Sequence, residues 1–254
     1  MKPIDWIERA AGYFILSWGW KRAMLAFASG ALSALAMPPF DLFPVLFLTI
    51  PAFAWLMDGV AAEPRKGLGA RMWHGFALGW WFGFGYFLAG LWWIGGAFLV
   101  EAEDFAWLLP FAVLLLPAGL ALFWGVGAML ARLIWREGAS RILALAAGLS
   151  VAEYLRGTLL TGFPWNTIGQ AAMTTTLTMQ KASVLGLYGV TLLAVAVFAL
   201  PALIAPRTGS RARALVILAG AFVVGDLAFG AWRLAANPVT FAENVSVRLV
   251  QPAV

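Results

Sequence analysis

Glu153-Tyr154-Leu155-Arg156-Gly157-Thr158-Leu159-Leu160-Thr161-Gly162-Phe163-Pro164-Trp165-Asn166 closes a long apolar run, yet it carries a carboxylate, a guanidinium and a segment that cannot stay helical. Proline lacks the amide donor and clashes with the preceding turn, so Gly162 and Pro164 end the helix and Phe163 is pushed to an extended conformation. Trp165 then supplies an amphipathic ring suited to a membrane interface. Glu153 and Arg156, three residues apart, share one helix face, which holds a costly pair of charges together just before the chain leaves the apolar run. With the helix counted to Thr161 at 1.5 Å per residue, Arg156 falls roughly 7 Å and Glu153 roughly 12 Å below its end.

Composition puts that helix in a membrane. Of the 254 residues 63% are hydrophobic and 11% charged, against about 25% charged in soluble domains. Fourteen Trp and 19 Phe against four Tyr fit lipid-facing and interfacial aromatics. The net charge of +5 does not imply nucleic acid, because the basic residues gather in loops between apolar stretches. The absence of cysteine excludes disulfides, thiolate metal sites and a cysteine nucleophile within these residues. No cleavable signal is evident, since the apolar residues 10–20 run into Lys21 and Arg22 rather than a small-residue cleavage site. Residues 6–20 read as an interfacial amphipathic helix, with a first span as the alternative.

Seven stretches reach the length of about 17 to 25 apolar residues that a bilayer crossing needs: 23–40, 44–60, 73–100, 105–133, 142–160, 182–205 and 214–234. The third and fourth exceed an upright span, so tilt, protrusion or a kink at Pro110 or Pro117 is expected. Lys2, Arg9, Lys21 and Arg22 precede the first stretch. Arg65, Lys66 and Arg71 follow the second, Arg132, Arg136 and Arg141 the fourth, and Arg207, Arg211 and Arg213 the sixth. Only Arg156, Lys181, Arg233 and Arg248 lie elsewhere. The positive-inside rule then places the amino terminus in the cytoplasm and the carboxyl terminus outside, together with the loops at Pro38–Asp41, Glu101–Asp104 and 161–166. From Val245, apolar and polar residues alternate over six positions, which reads as a short strand or a disordered tail. The expected fold is therefore all-α and polytopic. An interfacial segment (1–22) precedes a seven-helix transmembrane domain (23–236), and 237–254 begin a further domain.

Candidate chemistry is sparse. Arg156 at this depth is suited to grip a phospholipid phosphate bidentately; the other reading, compatible with it, is a structural pair with Glu153 that ties the helix to a neighbour. Trp92 and Trp93 are belt residues or cavity lining. Glycines 79, 83, 85 and 90, with 119, 125 and 127, allow close helix approach. His74 is the one histidine in the sequence and makes no metal site, and Asp226 is an intramembrane acid with no evident partner in the sequence, read as a helix-packing hydrogen bond. No serine or threonine stands beside a base that could activate it, so no acyl-transfer constellation is present.

Leu155-Arg156-Gly157 followed by Thr161-Gly162-Phe163-Pro164-Trp165 resembles the signature that closes the fifth span of apolipoprotein N-acyltransferases. The resemblance extends to Pro38-Pro39-Phe40-Asp41, to the glycine-aromatic third stretch with Trp93, and to Gln180 with Gly186-Leu187-Tyr188-Gly189. Val247-Arg248-Leu249-Val250-Gln251-Pro252 is similar to the first strand of the nitrilase-like domain of that family. The resemblance implies a bacterial inner-membrane acyltransferase that moves an acyl chain from a phospholipid to the α-amino group of the diacylglyceryl-cysteine of an apolipoprotein. It implies no metal or cofactor and a monomeric protein, with the reaction passing through a thioester on a Glu-Lys-Cys triad in a periplasmic domain. None of that triad can be assigned here. The expectation is thus the membrane portion of such an enzyme, from a truncated gene or a partial sequence, inactive alone. Glu153, Arg156, Phe163, Pro164, Trp165 and Asn166 would line the junction with the catalytic domain, Arg156 near the donor phosphate. A transporter or channel and a non-catalytic scaffold are the competing classes, although polar residues gathered at one surface favour chemistry at an interface over a path across the bilayer.

Overall fold

The computed structural model describes residues 3–62, 67–204, 209–238, 240 and 246–251. Among these the regular structure is helical, and the long helices are α1 (Pro3–Ile15), α2 (Gly19–Ser33), α3 (Leu46–Ala62), α4 (Leu68–Gly90), α5 (Leu109–Leu133), α6 (Ser140–Thr158), α7 (Ala182–Phe198) and α8 (Gly209–Ala236). Each of the seven apolar stretches carries one of α2 to α8. Among the described residues four segments are long and apolar enough to cross a bilayer: Phe43–Ala62, Ala102–Leu133, Ala182–Leu203 and Ile217–Ala236. Helix α4 and the 3-10 turns at Trp92–Leu99 make a fifth if the bent pair is one span. Helix α2 has only 15 residues, and α6 carries Arg141, Glu153 and Arg156 within 19, so neither is at once long and apolar enough to be counted with these.

Three local expectations change. The long third stretch breaks at Leu91 with a bend of 47° rather than tilting as one rod. Asn166 Nδ2 donates to Gly90 O at 3.1 Å there, satisfying a carbonyl that the ending helix leaves free. Pro110 lies in the first turn of α5, where its missing N–H costs no hydrogen bond, and Pro117 sits inside the same continuous helix. At the carboxyl end, the described residues 246–251 form no strand; an isolated extended segment has no neighbour to take its backbone hydrogen bonds. Val245 lies outside the described residues.

Helix α1, at 13 residues and about 20 Å, is too short to cross. It leans on α3, with Phe14 6.1 Å from Trp55 between ring centroids. Helix α4 packs between α2 and α5, α5 against α6, and α6 against α7. Small residues set these distances. A Cβ on Gly30 of α2 would fall 1.8 Å from the carbonyl oxygen of Phe82, and one on Gly127 or Gly148 would fall 2.5 or 2.3 Å from the other's carbonyl oxygen across α5 and α6. With the backbones this near, a column of rings fills the centre: Phe53 stacks on Phe82 at 4.3 Å, Phe82 on Trp124 at 5.6 Å, and Tyr86 on Trp124 at 4.8 Å. All four are fully buried.

Gly30→Ala should lower unfolding stability in detergent micelles by about 1–3 kcal/mol, because backbone cannot yield to the new methyl. Gly119→Ala, which meets nothing within 4 Å, should be neutral or slightly stabilising in the same denaturation series.

Candidate functional site

Helix α6 stops at Thr158, earlier than the count to Thr161 assumed. The chain then turns through three left-handed residues, Leu160 (φ 51°), Thr161 (φ 73°) and Gly162 (φ 81°). Only the last of these is glycine, so the first two are held against steric preference. The turn lets Phe163 N donate back to Arg156 O and Gly162 N to Leu159 O, both at 2.8 Å. Arg156 is consequently about 3 Å, and Glu153 about 8 Å, from the helix end.

The reversal folds the 163–167 backbone over the end of α6, where its carbonyls meet the guanidinium. Arg156 Nη1 donates to the carbonyls of Phe163 and of Trp165, the latter at 2.7 Å. Its Nε donates to Glu153 Oε2 at 3.1 Å, while Nη2 donates to the same oxygen and to Thr167 Oγ1 at 3.4 Å. The guanidinium also lies over the Phe87 ring, 4.9 Å from its centroid. Glu153 Oε1 accepts from Trp124 Nε1 at 3.2 Å, so the pair caps the central aromatic column. Relative exposure is 0% for Glu153 and 1% for Arg156.

The loop is fastened at further points. Tyr86 Oη donates to Asn166 O at 2.9 Å, Thr167 Oγ1 to Pro164 O at 2.7 Å, and Thr167 N to Gln170 Oε1 at 3.1 Å. The surface of this assembly is aromatic. Trp165 stacks on Trp93 with centroids 5.3 Å apart and rings inclined by 24°, and Phe163 lies 5.4 Å from Trp165. Trp92, Trp93 and Trp165 remain 67%, 47% and 50% exposed.

The candidate residues therefore separate into two layers. Trp93, Phe163, Pro164, Trp165 and Asn166 come together at the surface, with Trp92 beside them in sequence and turned outward. Glu153 and Arg156 lie beneath. All five guanidinium N–H groups of Arg156 are taken by protein acceptors and the side chain is buried. Through Glu153 the pair also ties α6 to a neighbour, Trp124 of α5.

Several partners escaped the sequence reading. Asp226 is not alone, for Lys181 Nζ reaches its Oδ2 at 2.5 Å from the start of α7. Asp58 of α3 takes Arg141 Nη1 at 2.8 Å and Trp135 Nε1 at 3.0 Å. Neither pairing is visible in sequence, since 45 and 83 residues separate the charges. Thr167-Ile168-Gly169-Gln170, by contrast, is a capping-box pattern that reading along the chain could have found. Between α7 and α8 an apolar cavity of about 340 Å³ is lined by Val184, Leu185, Leu193, Phe222 and Phe229, with the Lys181–Asp226 pair at its wall. It shares no lining residue with the 153–170 network. Among the described residues no group of three His, Asp or Glu side chains is placed to hold a metal.

Fold and site together define an all-helical membrane protein that keeps its most buried ion pair beneath an aromatic surface loop. Residues 29–200 match the family model described as the apolipoprotein N-acyltransferase N-terminal domain. Proteins named apolipoprotein N-acyltransferase from Rhizobium etli and Brucella suis are each 51% identical over 250 residues, covering 97% and 98% of this chain. One from Rhodopseudomonas palustris is 51% identical over 248 residues. The chain belongs to the apolipoprotein N-acyltransferase family. It spans 46% of the Rhizobium etli protein and 47% of the Brucella suis one, about half the length of these relatives.

Arg156→Ala should destabilise the protein by about 3–5 kcal/mol, because it strands a buried carboxylate. Joint replacement, Glu153→Ala with Arg156→Ala, should cost less than Arg156→Ala alone. A double-mutant cycle on unfolding in bicelles measures this, and a purely additive result would contradict the coupling.

Proposed function

We propose that this chain is the membrane domain of an acyltransferase that moves an acyl chain from a phospholipid to the α-amino group of the N-terminal diacylglyceryl-cysteine of an apolipoprotein. The observation that carries this reading is the match of nearly the whole chain, at about half identity, to proteins of that name. The chemistry cannot run on these residues if it passes through a cysteine thioester, since none of the 254 is cysteine. Their part is to anchor, to shape and to present.

The aromatic layer is the presenting surface in this proposal. Trp92, Trp93, Phe163, Pro164, Trp165 and Asn166 offer an amphipathic face, apolar enough for acyl chains and polar enough for the headgroup level. Glu153 and Arg156 act on it as positioning residues, because the guanidinium holds the carbonyls of Phe163 and Trp165 and so fixes the loop. The proposed organisation has an interfacial segment over 1–22, seven spanning helices over 23–236, and residues 237–254 leading into a catalytic domain outside the membrane. Distribution of lysine and arginine supports a cytoplasmic amino terminus and a periplasmic face for the aromatic loop. A monomer suffices, since the proposed presenting surface is built from one chain. A transporter is less well supported: the buried charges at Glu153–Arg156, Asp58–Arg141 and Lys181–Asp226 are paired with one another rather than open to a pathway.

The test is made with the full-length product of the gene that encodes this chain, catalytic domain included, because the 254 residues alone are expected to be inactive; it is expressed in a bacterium depleted of endogenous N-acyltransferase, with N-terminal lipopeptides read by mass spectrometry. The unsubstituted protein should restore the triacylated form. Trp93→Ala and Trp165→Ala should each lower N-acylation up to about tenfold while membrane abundance stays constant. No restoration by the unsubstituted protein would remove the functional reading; full activity in both variants would remove the presenting surface.

A further inference from the structure

Arg132, in the last turn of α5, is 9% exposed, yet among the described residues no acceptor takes a hydrogen bond from its guanidinium, and its Nε is fully buried without a partner. The neighbouring charge has the same sign. Arg71, in the first turn of α4, stands close enough to act on Arg132 electrostatically. The packing explains the convergence. A Cβ on Gly75 would lie 3.1 Å from Arg132 Cβ and 3.4 Å from its Cγ, so the stem of Arg132 crosses α4 at a residue without a side chain. Arg71 is one turn before Gly75 on the same helix face. Arg71 thus lies on the face of α4 that Arg132 crosses, and among the described residues no carboxylate pairs with either arginine. The carboxyl-terminal dipole of α5 offsets part of the repulsion, but it supplies no acceptor to the stranded Nε. An anion met by the Nη groups, which are not buried as Nε is, would offset that repulsion.

We propose that Arg71 and Arg132 form a binding site for a phosphate group at the end of the bundle where α4 begins and α5 ends, filled in the membrane by the headgroup of an anionic phospholipid. A guanidinium pair matches phosphate oxygens through several parallel N–H donors, which a single lysine could not do. Position sets this site apart from the aromatic loop. Arg71 and Gly90 occupy opposite ends of α4, about 28 Å apart along its axis, and Gly90 is the residue that Asn166 holds. That separation is close to the thickness of a hydrocarbon core, so a lipid at Arg71 and Arg132 sits in the other leaflet from one presented at Trp93 and Trp165. It is a bound structural lipid rather than an acyl donor, and the proposal stands whether or not the protein transfers acyl chains.

The test is native mass spectrometry of the purified full chain in detergent, titrated with phosphatidylglycerol or with diacylglycerol, which lacks the phosphate. Phosphatidylglycerol should bind at least about tenfold more tightly than diacylglycerol. That preference should fall about tenfold in Arg132→Gln and in Arg71→Gln, and persist in Arg136→Gln, an exposed arginine just beyond α5. Displacement of the lipid by millimolar inorganic phosphate would show that free phosphate shares the site, whereas its retention would assign the site to the lipid headgroup alone. Equal loss in all three variants would mean diffuse attraction to a basic surface and overturn the proposal, as would full binding in both Arg71→Gln and Arg132→Gln. Should Arg132→Gln fail to fold, the exposed Arg71 gives the same readout without disturbing the core.

Discussion

A guanidinium has five N–H groups in a fixed plane, and in this protein all five of Arg156 are satisfied inside the bundle. Taking such a cation out of water costs several kcal/mol even after relaxation, so its acceptors must be in place whenever the fold is. Glu153 supplies the counter-charge from the same helix, and the carbonyls of Phe163 and Trp165 supply the rest from the loop that follows. The end of α6, the reversal through Leu160 to Gly162 and the seat of the 163–167 backbone are therefore one cooperative unit. Left-handed backbone at Leu160 and Thr161 is tolerated because that unit over-determines it.

The pair reaches beyond its own loop through Trp124. The indole donates to Glu153 while its faces stack on Phe82 and Tyr86, and Tyr86 in turn donates to Asn166 O. Electrostatics and packing meet in that one side chain. It stands where it does because the small residues of α4 let α5 approach: a Cβ on Gly79 would fall 2.5 Å from Trp124 O. Close backbone approach, an aromatic column and a sealed ion pair are three consequences of the same helix contact.

What this arrangement exposes is a stacked tryptophan pair on a rigid base. Such a base holds the exposed rings in one fixed arrangement. The charges that could have marked a conduction path are instead spent in pairs between helices, Asp58 with Arg141 and Lys181 with Asp226. Helix–helix ties of this kind hold a bundle together where lipid tails give no hydrophobic drive to associate.

Chain order alone determined that the protein is membrane-embedded and helical, because the length and apolarity of a stretch are local properties. It also exposed the break after α6, since Gly162 and Pro164 act on their own backbone. Side-chain burial was beyond its reach. Depth along a helix says how far Arg156 lies from the surface, but whether its N–H groups face lipid or protein depends on a loop that folds back over it. The same limit hid Lys181 from Asp226 and Asp58 from Arg141, charges whose meeting is set by how helices far apart in sequence cross. It also allowed seven spans where four or five segments meet the standard of length and apolarity. Local chemistry is written along the chain, whereas the partner of a buried charge is decided only when the helices pack.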